Sequence, residues 1–373
     1  MPKHKIAILF EYPTLNGGER SILSMIADSN RPLYEFVAIA PLSGRLARKL
    51  KELDLPHLPY DFRDGNGLKL SQERLQNSFR KIVSVHNIDL LHANSLAMGR
   101  LTGSLVPQLS IQCTAHLRDM MKLSRSAMSH LNRNAKLVAV SSATRDFHIA
   151  QGLEPSRCAT IYNGIDSEEF MPGKKSGDLK KELGIRDDAF LILNAGQICL
   201  RKAQDVLVKA FAEVADRIPY AHLVLAGERY STKQESVKFE QSLDETIRDA
   251  RLEKRFHKLG FRDDIAAVMR DCDLLVHTAR QEPLGRVLLE AATTRMPIIA
   301  TDVGGTREIL EHNFSAILLT TDNRSAFAEA MESLYRNPEK RNQLSTNAEK
   351  RIAEKFRLHD QREELFAMWN NLL

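Results

Sequence analysis

Phe170-Met171-Pro172-Gly173-Lys174-Lys175-Ser176-Gly177 is the stretch at which the pattern of this chain stops and starts again. It is polar and carries a proline and two glycines, the composition of a linker. On both sides, short apolar runs alternate with segments of helical periodicity. Reading back from it, strands are expected over 5–10, 36–40, 89–93, 111–116, 137–141 and 159–162. Helices are expected between them over 19–27, 45–53, 72–86, 97–105 and 143–151. Reading forward, strands are expected over 190–195, 222–226, 256–259, 274–278, 298–301 and 317–319. The intervening helices are expected over 203–217, 233–250, 265–271, 286–294, 325–335 and 339–355. Most of the strand candidates are continuous apolar runs, the mark of parallel strands covered on both faces. Alternation of this kind predicts a doubly wound α/β sheet, and the break predicts two of them. The expected organisation is an N-terminal domain over 1–172, a C-terminal domain over 173–355, and a terminal segment over 356–373. A cleft between two lobes is expected, with ligand chemistry just beyond the carboxyl ends of the strands.

Composition agrees with an ordinary globular protein of 373 residues, 43% hydrophobic and 27% charged, long enough for two cores. No apolar run approaches the ~18–20 residues of a membrane span. The run after Lys3, His4 and Lys5 is too short for a secretory leader and reads as a first buried strand. The four cysteines (Cys113, Cys158, Cys199 and Cys272) are far apart, so reduced thiols in the cytoplasm are expected rather than a zinc or redox site. Residues 1–172 hold 21 Lys and Arg against 16 Asp and Glu, and so carry all of the formal net charge of +5. That asymmetry suits a surface meeting an anionic lipid headgroup layer or a phosphorylated acceptor, although a merely solvated surface explains it as well.

In the second half the most informative stretch is Ala279-Arg280-Gln281-Glu282-Pro283-Leu284-Gly285-Arg286-Val287-Leu288-Leu289-Glu290-Ala291-Ala292. Pro283 disfavours helix at Glu282, which places Glu282 in a loop. From about Gly285 the apolar spacing is helical, putting Glu290 about two turns into a helix. At ~1.5 Å rise per residue, the two carboxylates are on the order of 12 Å apart. A glycosidase acid/base pair needs roughly 5–9.5 Å. The arrangement reads instead as two grips on one long ligand with a phosphate-binding helix start between them, the plan of a nucleotide sugar. Two solvated glutamates on a strand-turn-helix are the plain alternative.

Other candidates also follow strands. Gly17 and Gly18 open a helix after the first strand and allow close backbone approach to phosphate or sugar, or simply make a tight turn. The G-x-G-x-x-G and Walker patterns are absent, which disfavours a dehydrogenase or P-loop enzyme. His116 ends a strand and can hydrogen-bond sugar hydroxyls, although a lone histidine is commonly structural. His92 and Asn94 hold a similar, weaker position. Gly196-Gln197-Ile198-Cys199-Leu200-Arg201-Lys202 leads into a helix whose N-terminus disfavours cations. An anionic ligand would explain Arg201 and Lys202 there, and so would surface solvation. The stretch from Met120 to Met128 mixes methionines and cations, as an amphipathic helix on the core or at a membrane surface would.

Taken in order, these motifs resemble the retaining glycosyltransferases of family 4, which have the two-Rossmann-lobe GT-B fold. Glu282 through Glu290 looks like the family's E-x7-E motif. Gly17-Gly18-Glu19, Val140-Ser141, Asn163-Gly164-Ile165-Asp166, Arg201-Lys202, and Val303-Gly304-Gly305 with Glu308 match in sequence order, so the resemblance spans essentially the whole chain. It implies that Glu282 contacts donor-sugar hydroxyls and Glu290 the ribose. Lys202, aided by the backbone at Leu284 and Gly285, would neutralise the departing diphosphate. Gly17 and Gly18 would face the donor phosphates and acceptor, and His116 would lie near the reacting sugar. The base would sit near Gly260-Phe261-Arg262, and 358–373 would cross back to the first lobe. Four departures stand out, one of them Arg307, which precedes Glu308 where a proline is frequent. Gln197 replaces a usual arginine, a charge that Arg201 or Arg286 would have to supply. Ala203 replaces a usual glycine, and Leu284 a common phenylalanine.

The function implied is metal-independent transfer of a sugar, with retained configuration, from a UDP- or GDP-sugar to an acceptor hydroxyl. Lobe closure would exclude water, and no cofactor beyond the nucleotide sugar as co-substrate is implied. The acceptor is expected to be a sugar or a lipid-linked sugar in polysaccharide or glycolipid synthesis. No nucleic-acid partner is expected, and the location expected is the cytoplasm at the inner membrane face. A non-catalytic nucleotide-sugar sensor on the same fold is the main rival, kept open by Gln197. A sugar-nucleotide epimerase is a further one, but its paired acid/base residues are not visible.

Overall fold

The computed structural model describes residues 3–27, 33–60, 62, 68 and 70–373. The chain divides into two compact units, Met1–Gly164 with Leu358–Leu373, and Ile165–Arg357. In the first unit seven strands, β1 (His4–Leu9), β2 (Tyr34–Ala40), β3 (His57–Pro59), β4 (Leu90–Ala93), β5 (Gln112–Leu117), β6 (Lys136–Ala139) and β7 (Cys158–Thr160), form a parallel sheet ordered β3-β2-β1-β4-β5-β6-β7. In the second, β8 (Phe190–Ala195), β9 (Ala221–Ala226), β10 (Phe256–Gly260), β11 (Leu274–His277), β12 (Ile298–Thr301) and β13 (Ile317–Leu319) form a parallel sheet ordered β10-β9-β8-β11-β12-β13. Both are doubly wound, as the alternation predicts. Strand order reverses between β1 and β4 in one sheet and between β8 and β11 in the other, and ligands bind at such switch points.

The apolar runs are continuous because each central strand is covered twice. In β1, Ile6 and Ile8 pack into one core cluster while Ala7 and Leu9 pack into another, all four fully buried. Register follows the same residues: Ile6 pairs with Phe36 on one side and Leu90 on the other, and Ile192 of β8 pairs with Leu223 and Leu274. Four helices of the first unit begin at serine caps. Ser71, Ser95, Ser124 and Ser141 each accept a backbone N–H of the first turn.

The division between units lies at Gly164/Ile165 and Arg357/Leu358 rather than at 172/173 and 355/356. Ile165 donates its N–H to Phe356 O (2.9 Å), and Arg270 reaches Glu169 O and Met171 O, so the residues before Pro172 already belong to the second unit. The polar stretch 173–177 follows that crossing and leads into a helix, Asp178–Leu183, bracketed by left-handed Gly177 and Gly184. The helix expected within 120–128 begins only at Arg125, and runs to Leu131. The helix Leu358–Asn370 completes the first unit's core. Trp369 is fully buried, Phe366 packs edge-on to Tyr34 with ring centroids 5.2 Å apart, and Tyr34 donates its hydroxyl to Asn370 (2.8 Å).

Candidate functional site

In the second unit the loops after β8 and β11 flank the switch point and are fastened to each other. Arg280 donates its backbone N–H to Arg201 O (2.8 Å), and Thr278 donates its hydroxyl to Ala203 O (2.8 Å). The Arg280 guanidinium spans Leu200 O (2.9 Å), Asp205 (2.9 Å) and Asp322 (2.7 Å), while Arg201 reaches Gln281 O (3.1 Å). The strand ends beside them approach very closely: a Cβ on Gly227, whose φ is +148°, would lie 1.9 Å from the Gly196 carbonyl. Only glycine fits there.

This framework brings three polar side chains to one point. The Lys202 ammonium lies 2.5 Å from Glu282 Oε2, and His277 Nε2–H donates to the same oxygen at 2.8 Å. Both bonds converge on Oε2, and no hydrogen bond from a described residue reaches Oε1. Burial alone would raise the Glu282 carboxyl, but the Lys202 charge and the His277 hydrogen bond outweigh it and hold the group well below the usual carboxylate range. Burial, reinforced by the Lys202 charge, lowers His277 and keeps its ring neutral. The result is a fixed ammonium beside an ionised carboxylate with one oxygen uncommitted.

Glu290 lies just over one turn into the helix Arg286–Thr293, not two, because the helix starts only after Gly285. Gly285 has φ +102°, and a Cβ there would crowd Leu288 and Glu282. Glu290 pairs with Arg286 (2.7 Å), and Arg286 Nη1 is buried without a partner among the described residues. Leu284 is buried, and the Glu282 carbonyl accepts the Gly305 N–H (3.0 Å), which ties in Val303-Gly304-Gly305. Gln197 accepts at its backbone carbonyl from the Gln204 amide (3.0 Å). Phe261 is half-buried beside Glu228, whereas Arg262 is committed to Asp264 (2.7 Å) and Glu182 (2.6 Å) and thus engaged in a network of its own.

The first unit gathers its candidates separately. A Cβ on Gly18 would meet Arg118 Cδ at 2.9 Å, and Gly18 O accepts from Asn94 (3.2 Å). Arg118 in turn donates to Asn94 Oδ1 (2.9 Å) and Asn163 Oδ1 (2.8 Å), and Asn163 also accepts from Ser21 (2.7 Å). Gly17 is the first residue of the helix Gly17–Ile26. His116 lies within β5 rather than after it, is fully buried, and bonds through Nδ1 to His92 (2.7 Å). Near these groups a cavity of about 650 Å³ is lined mainly by apolar side chains, among them Tyr12, Phe62, Leu75, Met98 and Leu101, with Arg100 and His130 on its wall.

Sequence reasoning did not single out His277, Arg280 or Arg118. Each has only a positional signal, a polar residue at or just after the end of an apolar strand. No group of three or more His, Cys, Asp or Glu side chains placed to hold a metal occurs among the described residues. No helix among them is long and apolar enough to cross a membrane.

The sequence was compared with known families and proteins. The family described as Glycosyl transferases group 1 matches residues 176–351, and Glycosyltransferase Family 4 matches residues 15–169. The putative glycosyltransferase EpsD of Bacillus subtilis is 31% identical over 199 residues, which span 52% of this chain and 50% of EpsD. The N-acetyl-alpha-D-glucosaminyl L-malate synthase of Bacillus anthracis is 25% identical over 297 residues, spanning 76% of this chain and 74% of that one. Among solved structures, that of Anabaena Alr3699/HepE with UDP and glucose has a TM-score of 0.88 at 23% identity, covering 99% of this chain and 100% of that one. With two parallel-sheet Rossmann-like lobes and two family matches that together account for most of its residues, the chain belongs to the group 1/family 4 glycosyltransferases of GT-B type.

Proposed function

We propose that this glycosyltransferase moves a sugar from a UDP- or GDP-sugar to an acceptor hydroxyl, with retention at the anomeric carbon and without a metal. One observation carries the reading: Glu282 is held ionised beside Lys202 at the β8/β11 switch point, with no hydrogen bond from a described residue to Oε1. Oε1 accepts a hydroxyl of the donor sugar. The Lys202 ammonium has three N–H donors and spends one on Glu282, so two remain for diphosphate oxygens. Arg286, with Nη1 buried and unpartnered, supplies the cationic contact that Gln197 does not, assisted by the N–H groups at Leu284 and Gly285. Glu290, positioned by Arg286, accepts from the ribose hydroxyls, and Phe261 lies toward the base.

In the transfer the bond from the anomeric carbon to the phosphate oxygen breaks, and a bond to the acceptor oxygen forms on the same face. The acceptor's proton passes to the departing phosphate oxygen. Lys202 and Arg286 meet the charge that grows on the diphosphate, the electrostatic form of catalysis. The donor class is supported by the likeness to Alr3699/HepE, which was solved with UDP and glucose. The first unit takes the acceptor near Gly17, Gly18 and His116. Its largely apolar cavity and the positive balance of residues 1–172 favour a lipid-linked acceptor at the inner membrane face, for polysaccharide or glycolipid synthesis.

The test is incubation with UDP-, GDP- and ADP-sugars while nucleoside diphosphate release is followed, with and without EDTA. Product anomeric configuration is read by proton NMR. Release from one donor class, unaffected by EDTA and abolished in Lys202→Met, is expected. Binding without release from any donor would support the sensor instead.

A further inference from the structure

A chain of three buried polar side chains crosses β4 and β5. Thr114 Oγ1 lies 2.8 Å from His92 Nδ1, and His92 Nε2 lies 2.7 Å from His116 Nδ1. All three residues are fully buried, and His116 Nε2 has no partner among the described residues. The two rings meet edge to face at 4.8 Å, and Trp369 closes over His92 at 5.1 Å.

The direction of the protons follows from what each atom would leave unsatisfied. Both rings are neutral: burial lowers His92 to about 3 and His116 well below its usual value, with the Arg118 charge acting the same way. Each ring therefore carries one N–H. Among the described residues the Thr114 hydroxyl has a single partner, His92 Nδ1. His116 Nε2 lacks a described partner in either order, and were Thr114 to accept, its own proton would be buried without an acceptor as well, a further loss of about 1–3 kcal/mol. Thr114 therefore donates to Nδ1. That places the His92 proton on Nε2, which donates to His116 Nδ1. The His116 proton then lies on Nε2, the atom left without a partner.

We propose that His92 is a positioning residue that fixes His116 as a hydrogen-bond donor, through Nε2–H, to an oxygen of the substrate. The relay excludes His116 as the base that removes the acceptor proton, since its only uncommitted nitrogen already carries one. This rests on the proposed placement of His116 beside the reacting sugar.

Long-range proton–nitrogen NMR of the histidine-labelled full chain tests the relay without turnover, with signals assigned through His92→Gln and His116→Gln. Both rings are expected to be neutral and protonated at Nε2. UDP-glucose, UDP-N-acetylglucosamine and GDP-mannose are added in turn, and one of them is expected to move the His116 Nε2–H signal downfield. In transfer assays His92→Phe is expected to lower kcat at least about tenfold, part of the loss typical of a removed donor, with donor KM within about twofold of wild type. His92→Gln, whose amide still donates to Nδ1, is expected to recover most of that rate. A His116 protonated at Nδ1 would overturn the relay whether or not His92→Phe folds, and an unmoved Nε2–H signal with all three donors would overturn its donation to a substrate oxygen. The expected tautomers together with wild-type transfer by His116→Ala would instead overturn only the placement of His116 at the sugar.

Discussion

Replacing Lys202 by methionine removes an ammonium while keeping most of its stem, and the response of Glu282 can be worked out with its sign. The two side chains are 13% and 7% exposed, and Lys202 lies 2.5 Å from the carboxylate. In the wild type the folded carboxyl sits below its value of 4.5 in the unfolded chain. A depressed group stabilises above the unfolded value and loses that contribution as pH falls through the folded one. The Glu282 contribution is therefore flat across neutral pH, and within this site only His277, held neutral by burial, makes stability fall as pH drops below the unfolded histidine value. Without Lys202, burial is opposed only by His277 and the weaker effect of the Arg201 charge, and leaving one partner of a buried pair behind costs about 3–5 kcal/mol. The Glu282–His277 pair then takes up a proton, on one group or the other, with an apparent value above that of the same groups in the unfolded chain. A raised value stabilises below the unfolded one and loses its contribution as pH rises through the folded one. Stability of Lys202→Met should thus fall with rising pH, by up to about 1.4 kcal/mol per unit. Urea titrations between about pH 5.5 and 8.5 measure this, where the group values lie. Lys202→Met/Glu282→Gln, with no buried carboxylate left to compensate, should lose the fall of stability with rising pH and recover much of the loss. Parallel pH profiles for wild type and the single variant would refute the reasoning, as would a cost below about 1 kcal/mol.

Other consequences are simpler to state. Gly227→Ala must place a Cβ against the Gly196 carbonyl at φ +148°, so thermal denaturation should show a loss of at least about 2 kcal/mol. Glu290→Gln removes a charged acceptor for the ribose and should raise donor KM about tenfold or more with kcat little changed, the pattern of lost uniform binding. Asp271 accepts backbone N–H groups from Ser176, Gly177 and Leu179. Burial opposes its ionisation, yet these bonds hold its carboxyl below the usual range. Its contribution should therefore be present above the unfolded value and lost as pH falls through the folded one. Asp271→Ala should cost about 1–2 kcal/mol in urea titration at neutral pH.

How far the sequence could be read depended on whether a residue's role is local. β1 and β8 were legible because burial on both faces makes them unbroken apolar runs. β3 was not: His57-Leu58-Pro59 has no such run, and only pairing with β2 makes it a strand. The helix Asp178–Leu183, directly after the linker stretch, was not legible because it is short and glycines bracket it. Glu282 and Glu290 were legible through their motif. His277 was not, since a strand-final histidine gains meaning only when Glu282 returns to meet it. Arg118 is similar, its role set by Asn94 and Asn163 from two other segments. Ala203 is a further case. It adopts φ +51°, ψ +42°, the left-handed conformation that costs a non-glycine residue roughly 1–2 kcal/mol. It follows Lys202 in the loop fastened to Thr278, and the glycine usual at that position would have marked the turn.

The first unit is discontinuous in sequence, and this constrains the order of events during synthesis. Its second hydrophobic cluster joins Ile6, Ile8, Phe36 and Leu90 to Leu365, Phe366 and Trp369. A nascent chain that has emerged through Gly164 has every strand of that sheet but cannot close the cluster. It must wait until the 193 residues of Ile165–Arg357 and the helix beyond them have followed. At ~5–20 residues per second that delay is roughly 10–40 s. The contiguous second unit can complete its own core in that interval. The part translated first thus becomes native last, and its unfinished apolar face is the stretch a holdase chaperone would meet on the ribosome.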